Sequence, residues 1–201
     1  MKNHVSENVK KIIQTLPENY ELTQQILKML NNYTTKIRLD DDIKNSYYVF
    51  ANDTIYLANN EKARTNYSRL CLIAHECWHS IQSKTIQKVN FILSNIEIIL
   101  FFVCIIMFLF KLTYIFVPII YIMISLSSLI IRFILEIDAV KNSVIVSKSY
   151  INRKFDNEKS ELIKNEFSKN IKRLIPVFIF SLSISKICRC ILVLILYFYL
   201  K

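Results

Sequence analysis

The chain reads as a mostly α-helical membrane protein with a small β element, and three observations predict this. Hydrophobic residues make up 53% of its 201 residues and cluster in the second half. Two runs, residues 91–110 (FILSNIEIILFFVCIIMFLF) and 112–131 (LTYIFVPIIYIMISLSSLII), each approach the roughly 20 residues a helix needs to cross hydrocarbon. Between residues 36 and 58, short β-branched and aromatic runs (KIRL, YYVFAN, TIYLA) alternate with Asp, Asn and Ser, as strands and turns do.

Taken in order, residues 1–90 form a cytoplasmic segment. Val5, Val9, Ile12, Ile13 and Leu16 precede Pro17, and Leu22, Ile26, Leu27 and Leu30 follow it, so two short amphipathic helices are expected over 5–30. A small sheet or hairpin follows. Over 66–88, Leu70, Ile73, Ala74, Cys77 and Ile81 make a helical stripe, which places HECWH inside a helix. Residues 91–131 form a transmembrane hairpin with Lys111 at its turn. Residues 132–173 follow, and from about 141 they alternate Lys and Glu around apolar positions, as expected of a helix lying along the membrane surface or of a solvated charged helix. Residues 174–201 form a C-terminal apolar helix carrying Lys186 and Arg189 near its middle. Each central cation costs about 2.5–3.5 kcal/mol of insertion, while each large aliphatic residue returns only about 0.3–0.6, so this third span sits near balance.

The net charge of +10 comes from 26 Lys and Arg mixed with 16 acids beside apolar segments. That pattern suits anionic lipid headgroups, and no nucleic-acid-binding motif accompanies it. Twelve Lys or Arg precede residue 91 and ten occupy 132–173, against Lys111 alone in the hairpin turn, which puts both polar segments on the cytoplasmic side of the cell membrane. The N-terminus has no uninterrupted apolar core of the secretory kind. Cys71, Cys77, Cys104, Cys188 and Cys190 lie in or beside apolar stretches and read as reduced packing residues. Glycine is absent, so turns that need positive φ should fall to Asn or Asp, among them Asn31, Asn32, Asn52, Asp53, Asn59 and Asn60.

The chemistry-bearing residues are His75, Glu76 and His79. Four residues along a helix turn the side chain by about 40°, so His75 and His79 project from one face and can bind one metal ion. Glu76 stands beside them. Zinc held by three protein ligands keeps a fourth position for water, and a neighbouring carboxylate can take that water's proton as it attacks a carbonyl. The third ligand must come from elsewhere. His4 lies in a polar terminus, Cys71 sits two turns from His79, and Cys77 points away. Glu97, Glu136 and Asp138 remain. Glu136 is favoured because the hairpin returns the chain to the level of HECWH, and Asp138, about 200° around the helix from it, can support the site from behind or lie on the surface. Gln82, three residues after His79, can reach substrate or the third ligand.

The segment NDTIYLANNEKARTNYSRLCLIAHECWHSIQ, followed by an apolar hairpin and then LEIDAVKNS, resembles the bacterial membrane-bound neutral zinc metallopeptidases of the YugP-like family, with their HExGHxxQ helix and later EFDAS motif. The resemblance is dense over 54–82 and 135–144 and thinner over the rest of 20–200. It implies a zincin-like HExxH helix, Zn2+ on His75, His79 and Glu136, Glu76 as catalytic base, and a polypeptide substrate; by analogy with zinc peptidases generally, TIYLA is the edge strand expected to pair with that substrate. Trp78 stands where the family has glycine, a ring expected to crowd the site or narrow access to it. Val140 stands where the family has serine, and the family's N-terminal span has no counterpart here.

Two functions therefore stand at the level of sequence. One is peptide-bond hydrolysis at the cytoplasmic membrane face. The other is a non-catalytic membrane protein, a degenerate relative or scaffold, in which HECWH only packs. Glu97 adds a separate expectation, since a carboxylate inside a span calls for a partner, and Lys186 and Arg189 share the helix face that would supply it.

Overall fold

Pro17 bars a helical conformation at the residue before it and so separates two short helices, α1 (Glu7–Gln14) and α2 (Asn19–Met29). The computed structural model describes residues 7–65, 68–112 and 114–200, so His4 and Val5 lie outside the described residues. α2 buries Leu22, Ile26 and Leu27, and it ends where Asn31 takes a positive φ of 55°.

Three strands follow: β1 (Lys36–Asp40), β2 (Tyr47–Val49) and β3 (Thr54–Ala58), with a short 3-10 turn at Phe50–Asn52. Their order is β1-β3-β2. β1 runs parallel to β3 with Ile37 opposite Ile55, and β2 runs antiparallel to it with Tyr48 opposite Ile55. TIYLA is therefore the central strand and not an edge, which corrects the expectation above. The physical reason is its burial: Thr54, Ile55, Leu57 and Ala58 are all buried, so this run is paired on both sides.

After α3 (Glu61–Thr65) come α4 (Arg69–Ile81) and α5 (Lys84–Leu109), which replace the single helix expected over 66–88. The break falls at Gln82, whose backbone is extended, and Ser83 restarts the helix by accepting from the Ile86 N–H at 3.5 Å. α6 (Phe116–Lys154) and α7 (Asn157–Leu200) are each continuous, so the helical segment expected from about residue 141 is made of the end of α6 and the start of α7 and is not a separate helix. Without glycine, the positive-φ positions fall to Asn31, Asp53 and also Lys111, a residue type that spacing alone would not have named.

The chain divides into two compact units, one of Met1–Gln82 with Ile137–Arg173 and one of Ser83–Glu136 with Leu174–Lys201. In the first, the core joins Ile13, Leu16, Leu22, Ile26, Ile55, Leu57, Leu70, Ile73 and Ala74 to Val146, Tyr150, Ile151 and Ile163. Burying each large aliphatic side chain there contributes about 1.5–3 kcal/mol. Arg69, at the start of α4, donates to the Ile13 and Leu16 carbonyls at 3.1 and 2.8 Å and to Asn19 Oδ1 at 3.1 Å, so it caps the end of α1 and fixes where α4 begins. The second unit packs Cys104 and Phe108 of α5 against Tyr121 of α6 and Val193 and Tyr197 of α7. Three helical stretches, Lys84–Leu109, Phe116–Lys154 and Phe180–Leu200, are long and apolar enough to cross a membrane.

Candidate metal centre

α4 packs Leu70, Cys71, Ile73, Ala74 and Cys77 into the core, and this stripe turns His75, Glu76, Trp78 and His79 to a half-buried side. The imidazoles of His75 and His79 meet edge to face, at 88° with centroids 4.6 Å apart, and their Nε2 atoms stand 3.0 Å apart. Glu136 is the last residue of α6 before its Ile137–Lys154 part, in which Asp138 lies. Together, His75, His79 and Glu136 are the group among the described residues that could hold a metal ion, with one ligand atom from each lying within 4.8 Å of the others. Two nitrogens bound to one tetrahedral zinc at about 2.0–2.1 Å would sit about 3.3 Å apart, so the observed nitrogen pair fits such an ion with little movement. Glu136 Oε1 also faces Arg132 Nε at 3.8 Å, one turn earlier on α6.

Behind the histidines lies a connected set of hydrogen bonds. His79 Nδ1 is 2.7 Å from Gln82 Oε1, and Gln82 Nε2 donates to Asp138 Oδ2 at 2.8 Å. A carboxylate only accepts, so the Gln82 amide turns its nitrogen to Asp138 and its oxygen to His79. That arrangement puts the His79 proton on Nδ1 and leaves Nε2 with a lone pair for a metal. The helix break at Gln82 makes this possible, because an extended backbone there lets the side chain fold back over the last turn of α4.

The Trp78 indole N–H donates to the same Asp138 Oδ2 at 2.7 Å, and its ring packs against the core of the first unit. Asn142, one turn further along α6, donates to Asp138 Oδ1 at 2.9 Å. Asp138 thus acts from behind the histidines, while Trp78 is one of the groups that fixes it.

Glu76 is held from the sheet: the backbone N–H of Tyr48 on β2 donates to Glu76 Oε2 at 2.8 Å. Tyr48 is itself fixed, its hydroxyl donating to Asp53 Oδ1 at 2.8 Å, and burial followed by that bond pushes its phenol pKa upward. Burial also pushes the Cys71 thiol up to about 12 and the Cys77 thiol well above its usual range, so both stay protonated packing groups.

The predicted residues fall into two sets. His75, His79 and Glu136 come together, with Gln82, Asp138 and Trp78 linked behind them and Glu76 anchored beside them. Glu97, the other acid considered as a ligand, instead pairs with Lys186 and Arg189. Sequence reasoning missed the Tyr48 amide, for which a backbone group leaves no signal. It also missed Asn142, whose position four residues after Asp138 could have suggested it. Comparison with protein-family models, curated proteins and solved structures finds no match to this chain.

Proposed function

We propose that this chain is a membrane-bound zinc peptidase of the zincin-like HExxH type, hydrolysing polypeptide at the cytoplasmic face of the membrane. The observation that supports it best is the gathering of His75, His79 and Glu136 ligand atoms within 4.8 Å, on a motif that also places Glu76 next to His75. A zinc ion held there would polarise the scissile carbonyl and acidify a water molecule. Glu76 would take the proton of the attacking water and pass it to the departing amine nitrogen. Asp138, through Gln82, would hold His79 in the tautomer that binds metal. β2, whose Tyr48 amide donates to Glu76, would be the strand that pairs with an extended substrate beside that base.

The test is zinc content and proteolysis of the detergent-purified protein. Stoichiometric zinc, lost in His79→Ala and weakened in Glu136→Gln, is expected, together with peptide hydrolysis that a chelator stops and added zinc restores. A wild-type protein that takes up no zinc overturns the reading. Proteolysis that persists in Glu76→Gln overturns the base.

A further inference from the structure

In the second unit the polar side chains of three otherwise apolar helices meet at one place. Glu97 of α5 is 1% exposed. One of its oxygens pairs with Lys186 of α7, and the other lies 3.3 Å from Arg189 Nη2 and accepts from Ser125 of α6 at 3.4 Å. Lys186 donates in addition to Ser128 Oγ at 2.9 Å, and Ser128 shares a hydrogen bond with Ser94 of α5 at 3.2 Å. Lys186 and Arg189, three residues apart, present both cations from the same side of α7.

Among the described residues the charges there do not balance. Two cations face one carboxylate, and each cation sits near the middle of a stretch, Phe180–Leu200, whose remaining residues carry no charge. A helix with two central cations enters hydrocarbon poorly by itself, whereas the same helix beside a carboxylate and hydroxyls has its charges met inside the bundle. The two cations are also unequal. The Lys186 side chain is 7% exposed and that of Arg189 is 26% exposed, so Arg189 has a route outward along its own stem and Lys186 does not.

We propose that Glu97 makes the C-terminal part of α7 a membrane span. The α5–α6 hairpin presents a carboxylate at mid-depth, α7 crosses only against it, and the side of the membrane on which the chain ends depends on this one side chain. This holds whatever chemistry the metal centre performs. The excess of positive charge gives it an asymmetric signature: removing the carboxylate strands two cations, while removing Lys186 leaves a neutral Glu97–Arg189 pair.

The experiment reads the sidedness of a protease-cleavable tag placed after Lys201 in the full chain, in sealed membrane vesicles. In the wild type the tag should lie on the side opposite the basic segments. Glu97→Gln should lower the ratio of crossed to uncrossed tag by about tenfold or more. Lys186→Gln should leave it at the wild-type value. Because Glu97→Gln could act by misfolding, two further variants decide the cause. The exchange Glu97→Lys with Lys186→Glu, and the neutral triple variant Glu97→Gln, Lys186→Gln, Arg189→Gln, should both restore the wild-type ratio. An unchanged tag in Glu97→Gln overturns the proposal, and so does failure of either restoring variant.

Discussion

In each unit one carboxylate gathers several donors, and the difference lies in the donors. Around Asp138 they are neutral: an indole N–H, a glutamine amide and an asparagine amide. Around Glu97 they are two cations and a serine hydroxyl. Asp138 is half-buried in the unit rich in polar residues, where neutral donors suffice to hold a carboxylate, and its negative charge stays available to bias His79 through Gln82. Glu97 is fully buried among apolar spans, where a charge is tolerated only against an opposite one. The same side-chain chemistry thus orients a histidine through an amide in one unit and meets cations from another helix in the other.

The sharpest test of that division pairs Glu76→Gln with Glu97→Gln. Glu76→Gln should reduce peptide hydrolysis by about 10²- to 10⁴-fold, the usual worth of a general base, while zinc content and tag sidedness stay at wild-type values. Glu97→Gln should alter sidedness first. If Glu76→Gln instead shifts the tag, the two roles are not separable in this way.

Next in size is Asp138→Asn. An asparagine can still accept from Trp78 or Gln82, but it carries no charge and its own N–H2 competes for the Gln82 oxygen. Zinc affinity should fall about 10- to 100-fold, the range for groups that orient a ligating histidine. Long-range nitrogen–proton spectra of His79 should show loss of the single Nδ1–H tautomer. Zinc affinity within twofold of wild type would mean that Asp138 only packs.

A smaller effect is expected from the buried thiols. Because burial raises the Cys71 pKa to about 12, the folded chain keeps this thiol neutral where the unfolded chain, near 8.5, has already ionised it. The unfolded state therefore binds fewer protons above about pH 8.5, and stability falls as pH rises from there toward 12. The loss is about 1.4 kcal/mol per pH unit from this group. Thermal unfolding in detergent between pH 9 and 11 should show a slope that is shallower by that amount in Cys71→Ala.

How much of this was legible in the sequence depends on whether the signal was periodic. The two short N-terminal helices and the HECWH helix follow from a 3.6-residue period, the three strands from β-branched and aromatic runs between turn residues, and the long apolar helices from uninterrupted hydrophobic length, and each is present among the described residues. The Glu97 pairing was legible because an acid in one span and two cations in another have few alternatives. The position of TIYLA was not, since pairing on both sides depends on which strand lies across from it. Nor was the break at Gln82, because Ser83 caps a new helix only once the chain has turned. That break decides how Gln82 serves the site, as an uninterrupted helix would carry its amide away from Asp138.

Trp78 gives the smallest expected effect and separates two readings of one residue. Set against the glycine of the metallopeptidases that the motif resembles, its ring would crowd the candidate metal site, and shrinking it should open access and raise turnover. In the structure its indole N–H holds Asp138 while its ring packs on the core. Trp78→Phe keeps most of that ring and removes the donor, leaving Asp138 with Gln82 and Asn142. The expected outcome is a loss of about 1 kcal/mol in stability, the worth of one hydrogen bond, with a small decrease in zinc affinity and no gain in hydrolysis. Faster hydrolysis in Trp78→Phe or Trp78→Ala would restore the obstruction and remove Trp78 from the set of groups that fix Asp138.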